Sequence, residues 1–198
     1  MIFISISGNF CKDKKVSAVN GILGRGKYVV TEMVIPKEVC QSILKTTPRA
    51  IVDLNIKKNF IGSTLAGSLR SANAHYANML LAFYLATGQD AANIIEGSQG
   101  ITHAELRGED LYFSATLPNV IVGSVGNGKE LAFVQKNLAQ MGCLDESRAE
   151  GINANRLAMI VAATVFCGEL SLMAALTNQG ELMRSHLAIE RRNHTQGN

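Results

Sequence analysis

The sequence predicts an α+β domain, and three stretches carry that expectation: an apolar helical run at 71–92, a block of short strands at 101–125, and a second long apolar helix at 157–176. In the first, SANAHYANMLLAFYLATGQDAA, a helical turn of about 100° per residue brings His75, Asn78 and Gln89 into one narrow sector, with Ala82 and Ala86 between them. That stripe reads as a shallow groove with polar ends. Met79, Leu80, Leu81, Phe83, Tyr84 and Leu85 surround it too densely for a surface helix, so this is expected to be the buried central helix of the fold. Gly88 loosens the last turn, and Asp90 follows where the chain leaves the core. A carboxylate buried there alone costs several kcal/mol, so Asp90 calls for a cation or for neighbouring donors.

In the second stretch, 101–105, 110–117 and 120–125 read as three consecutive strands with turns at Arg107-Gly108 and Pro118-Asn119, an antiparallel meander. It runs into GSVGNGK at 123–129, whose glycines let backbone amides approach an anion ahead of a helix at 130–141. The spacing is neither a dinucleotide fingerprint nor a P-loop, and by itself it reads as an ordinary strand-to-helix turn. In the third stretch, Asn153 or Asn155 can cap a long helix whose small residues Ala162, Ala163, Gly168, Ala174 and Ala175 admit a close partner. Glu169 inside it argues for a buried helix, and no membrane span is predicted. Gly180 ends this helix, and a short amphipathic piece from Glu181 carries His186.

The earlier part of the chain opens with MIFISIS at 1–7, a strand-like run without a basic leader or cleavage site. SGNFCKDKK at 7–15 then packs three lysines around Asp13. Crowding between Lys14 and Lys15 lowers the proton affinity of each while Asp13 partly offsets it, which makes a lysine responsive to a developing oxyanion; a solvated loop is the other reading. A turn cluster at 21–26, a strand at 27–35, a short helix opened by Pro36 and ending near Lys45, a strand at 50–56 and a small-residue stretch at 57–68 lead to the central helix.

With 198 residues, 47% of them hydrophobic, and no repeat or linker, one domain is the simplest division. The net charge of +3 is scattered, which disfavours extended nucleic-acid binding and suits anionic small molecules. Cys11, Cys40, Cys143 and Cys167 show neither metal spacing nor a disulfide framework, so no metal site is expected and a reducing, cytoplasmic setting is.

Taken together, SGNFCKDKK, NAHYANMLLAFYLATGQDAA, GELSLMAAL and RSH resemble the C-terminal part of the catalytic region of 3-hydroxy-3-methylglutaryl-coenzyme A (HMG-CoA) reductases, in their NADPH-using, eukaryote-like class. The resemblance runs from about Ser5 to Arg192 and implies the large, substrate-binding domain over 1–186, with 187–198 a flexible tail. It implies reduction of the HMG-CoA thioester to mevalonate with two NADPH, releasing coenzyme A, in the mevalonate route to isoprenoids. By motif matching, Lys14 corresponds to the family's catalytic lysine, Asp90 to its aspartate and His186 to its histidine. A lysine ammonium stabilises the carbonyl oxyanion, Asp90 keeps that lysine charged and placed, and His186 can protonate the departing thiolate. Ser7, Asp13, Lys15, Lys58 and Asn78 resemble groups that bind the hydroxymethylglutaryl portion, Lys45 a coenzyme A contact, and Arg191 a residue near the nucleotide.

The chain also departs from the family. The family's catalytic glutamate, and the inserted domain that provides most of its NADPH site, belong to an earlier segment, and no residue here replaces that glutamate. Val16-Ser17 stand where Pro-Ala is usual, Arg70-Ser71-Ala72 where a Gly-Gly-aromatic run is usual, and Ser124, Asn127 and Lys129 depart within the glycine loop. The resemblance therefore implies a reductase portion that turns over only with an N-terminal portion supplied from elsewhere, and a homodimer or tetramer with its active site between subunits. A non-catalytic acyl-coenzyme A-binding or dimerising module that regulates a full-length reductase is the alternative.

Overall fold

The structure, a computed structural model, describes residues 2–189, so the expectations for Arg191 and for 190–198 lie outside the described residues. In chain order they form α1 (Ala18–Leu23), β1 (Lys27–Ile35), α2 (Lys37–Ser42), α3 (Pro48–Leu54), a π-helical segment (Asn55–Gly62) running into one turn, α4 (Ser63–Leu65), and then α5 (Tyr76–Ala86). A 3₁₀ turn (Ala91–Asn93) continues into α6 (Ile94–Gly97), followed by β2 (Ile101–Arg107), β3 (Asp110–Val120), α7 (Ala132–Gln140), α8 (Ile152–Thr177) and α9 (Glu181–Ile189). This is an α+β fold with a three-stranded antiparallel sheet and long helices.

Alternating β-branched residues over KYVVTEMVI make β1, which pairs antiparallel with β3 from Ile35↔Leu111 to Val29↔Leu117. β2 pairs with the other side of β3 from Arg107↔Asp110 to Ile101↔Thr116, so the order is β1-β3-β2. The meander expected at 101–125 does not form: its second strand runs on to Val120 as β3, residues 121–125 are not a strand, and the third strand of the sheet is β1. Pro118-Asn119 does not turn the chain. It lies where the β1 pairing jumps from Val29↔Leu117 to Lys27↔Val120, a bulge that absorbs the N–H proline lacks, and the Pro118 carbonyl accepts the Arg25 N–H at 3.1 Å.

Two other expected strands are absent. Residues 2–7 form an extended arm in which Ile2, Phe3, Ile4 and Ile6 are almost fully exposed; no described strand lies beside it to take its backbone groups. At 50–56 the β-branched run Ile51-Val52 is helical, in α3, because Thr47 caps the Ala50 N–H at 3.2 Å and Pro48 occupies the first turn. Within the turn cluster expected at 21–26, only Gly24 and Gly26 turn, at φ of 71° and 78°, and Ser17 caps α1 ahead of them.

Helix α5 buries Tyr76, Leu80 and Tyr84 completely. Across from it, α8 contributes Leu157, Val161 and Val165, and the missing side chain of Gly168 makes room for Met79. α8 also lies on the sheet, with Phe166 edge-on to Phe113 at 5.2 Å. Its entry is made by Gly151 at φ 83°, not by Asn153 or Asn155, both inside the helix; the Asn153 amide donates instead to the Asp145 carbonyl. α8 is long and apolar enough to cross a membrane, yet half of its apolar window is buried in the fold, and Glu169 is fully buried.

Candidate active site

The lysine-rich loop is folded tightly onto α1: the Asn20 amide donates to the Lys12 carbonyl at 2.8 Å and to the Lys15 carbonyl at 2.7 Å. Lys14 takes a left-handed backbone, φ 52°, and its Nζ lies 2.7 Å from Asp90 Oδ2. Asp90 in turn caps the 3₁₀ turn after α5, its Oδ1 accepting the Ala92 N–H at 3.0 Å. Two residues separated by the whole α1–α5 region thus face each other. Their side chains are 40% and 52% exposed, so water screens the pair and its effect is on placement more than on stability.

The hydrogen bond to Asp90, and then that carboxylate's charge, hold the Lys14 ammonium above the ordinary lysine value. The Lys14 hydrogen bond, and then the Ala92 N–H, hold Asp90 below the ordinary carboxylate value. The signs follow. Asp90's contribution is present above about pH 4 and is lost as pH falls through its lowered value; that of Lys14 is present below about pH 10 and is lost as pH rises through its raised value. In an NMR titration of lysine ammonium groups, Lys14 is expected to keep its proton to higher pH than an ordinary lysine, and Asp90→Asn to lower that pH.

The other residues singled out in the sequence fall in several places. Asp13 pairs with Arg25 at 2.5 Å, and Lys15 turns back onto its own loop, donating to the Asp13 carbonyl at 3.0 Å and to Cys11 Sγ at 3.4 Å. The Asp13 main chain, and then Lys15, lower the exposed Cys11 thiol. Ser7 lies in the exposed arm, its hydroxyl accepting the Asn9 N–H at 3.4 Å. Lys58 is exposed on the π-helical segment, and Asn78 faces His75 Nδ1 at 3.2 Å. Lys45, at φ 55°, shares a cleft with Ser171, Ala174 and Glu181, between the end of α2 and the junction of α8 with α9. His186 is exposed on α9. Among the described residues no ion pair or hydrogen bond ties Ser7, Lys45 or Lys58 to the Lys14–Asp90 pair.

Glu96 and Arg25 had no place in the expected site. Glu96 is fully buried, and its Oε1 accepts the Lys14 N–H at 3.1 Å, Arg25 Nε at 3.2 Å and Asn93 Nδ2 at 3.0 Å. Arg25 sits in GRG and Glu96 in the apolar IIEG; a charge set among apolar residues was the available signal. Gln89 staples its turn to the glycine loop, exchanging bonds of 3.1 and 3.0 Å with Gly123. Lys129 donates to the Gly88 carbonyl, and burial lowers its ammonium. At Gly88, φ 61°, a Cβ would stand 2.6 Å from the Gly128 carbonyl oxygen, so the two loops meet only across glycine. Gly88→Ala is expected to cost at least about 2 kcal/mol, read as a lower urea midpoint at unchanged slope.

Fold and site together define an α+β domain that presents an ammonium–carboxylate pair of the kind that polarises carbonyl groups. The chain belongs to the hydroxymethylglutaryl-coenzyme A reductase family, which it matches over residues 1–191. It is 50% identical to the 3-hydroxy-3-methylglutaryl-coenzyme A reductase of Aeropyrum pernix over 188 residues, covering 95% of this chain and 44% of that protein. Against the enzymes of Xenopus laevis and Dictyostelium discoideum it is 48% identical, covering 95% and 96% of this chain and 22% and 35% of theirs. The chain spans less than half the length of these relatives.

Proposed function

We propose that this chain supplies the lysine, aspartate and histidine of an HMG-CoA reductase, an NADPH-dependent oxidoreductase that takes the HMG-CoA thioester to mevalonate and coenzyme A. The observation that carries the reading is the 2.7 Å contact of Lys14 Nζ with Asp90 Oδ2, made by two motifs matched independently to the family. Lys14 supplies the positive charge for a carbonyl oxygen as negative charge builds on it, and Asp90 keeps that charge in place across neutral pH. His186 gives a proton to the leaving thiolate.

At the glycine turn the buried Lys129 directs its amine onto Gly88, and Arg191 lies outside the described residues. The reductant's binding is assigned mainly to the segment that precedes these motifs in the family. The test is to mix the chain with a polypeptide carrying the N-terminal portion of the family's catalytic region and to follow NADPH absorbance. HMG-CoA-dependent oxidation is expected from the mixture and from neither part alone.

A second reading is favoured by one feature: α5 leaves Asn78, Leu81, Ala82 and Leu85 exposed along one stripe. Such a face suits a homo-oligomer or a dimerising, acyl-coenzyme A-binding module acting on a full-length reductase. Calorimetry with HMG-CoA separates the two, since binding without turnover in the mixture supports the module.

A further inference from the structure

We propose that Glu96 is the positioning residue that holds Lys14 in its left-handed conformation and so aims the ammonium at Asp90. The inference rests on the reading of Lys14 and Asp90 as the working pair. Its basis is the placement of a buried carboxyl group whose donors converge on one oxygen. Glu96 is fully buried, and its Oε2 has no partner among the described residues, so it is a costly group to keep inside. Its other oxygen, Oε1, takes all three donors, and each leads to the lysine loop.

The first donor is the Lys14 backbone N–H itself, at 3.1 Å. The second is Arg25 Nε at 3.2 Å, whose Nη2 meets Asp13 Oδ1 at 2.5 Å. The third is the Asn93 amide at 3.0 Å, which also donates to Asp13 Oδ1 at 3.2 Å. Asp13 and Lys14 are thus fixed from one oxygen, the former through two bridging side chains and the latter directly. Glu96 is itself tied to the sheet, because the Asn119 amide of β3 donates to its carbonyl at 2.9 Å. Asn93, one of the bridges, belongs to the 3₁₀ turn that Asp90 caps, so the same short segment places both the carboxylate and the clamp. A non-glycine residue at φ 52° is strained, and a hydrogen bond from its N–H to a buried carboxyl oxygen is a means of sustaining it.

The test reads Lys14 without relying on turnover. The chain is reductively methylated with formaldehyde and cyanoborohydride, and the labelling rates of Lys14 and of the exposed Lys136 are followed by peptide mass spectrometry. Asp90→Asn is expected to raise the Lys14 rate severalfold, because losing the carboxylate leaves more of the amine free of its proton. Glu96→Ala is expected to raise it nearly as far, and Glu96→Gln, which keeps the accepting oxygen, by less. In the Asp90→Asn background, Glu96→Ala is expected to add little. The Lys136 rate stays constant throughout, whereas a general loosening of the fold raises it too. If Asp90→Asn raises the Lys14 rate while folded Glu96→Ala leaves it at the wild-type value, the positioning role is overturned and the pair stands. If Asp90→Asn changes nothing, the pair itself is wrong and the proposal falls with it. Should Glu96→Ala not fold, Glu96→Leu, which removes the acceptor but fills the buried space, decides by the same criterion.

Discussion

Lys14→Ala is expected to lower HMG-CoA-dependent NADPH oxidation in the reconstituted reductase by about a hundredfold to a thousandfold, with the chain still folded. The size follows from what the residue does. Charge that develops on a carbonyl oxygen is stabilised by a donor placed in advance, and Asp90 and the Glu96 network hold the Lys14 ammonium in place before any substrate arrives. Folding is expected to survive because the side chain is 40% exposed and its pairing is screened. Lys14→Arg keeps the charge, but its planar fork replaces a compact ammonium on a left-handed loop, so most of the loss is expected to remain.

Glu169→Ala is expected to have the largest effect on stability. The carboxylate is fully buried in the C-terminal half of α8, and it accepts the Ala74 and His75 N–H groups at 2.7 Å each, the Thr102 hydroxyl at 3.0 Å and the Asn59 amide at 3.3 Å. Burial raises its proton affinity, and the Ala74 N–H is foremost among the bonds that oppose the rise. Truncation leaves these donors buried without an acceptor. At about 1–3 kcal/mol for each orphaned group, and with incomplete additivity, a loss on the order of 4 kcal/mol is expected, or roughly 10 °C in Tm. Since a raised carboxylate favours folding most when it is protonated, ionisation of Glu169 costs stability as pH rises through its raised value.

Much of this arrangement was legible in the residues, and the exceptions share a cause. β1, the β2–β3 turn at Gly108 and the long helix follow from local period and turn chemistry, which depend on neighbours in sequence. Ile51-Val52 misled because a cap signal, Thr47-Pro48, outweighed β-branched propensity. Pro118 misled because a bulge can hold a proline inside a sheet, and the bulge depends on β1, far away in the chain. Within the site, Lys14 and Asp90 were found through motifs. Glu96 escaped because two of its three partners, Lys14 and Arg25, stand 82 and 71 positions away, a separation that no periodicity encodes.

The most direct measurement is a double-mutant cycle in the reconstituted reductase, using Lys14→Ala, Asp90→Asn and both together. If the two residues act as one unit, the double variant should lose about as much kcat/KM as Lys14→Ala alone, since an unaccompanied Asp90 has nothing left to hold. Losses that multiply, so that the double variant falls by the product of the two single effects, would show the residues working separately and contradict the account.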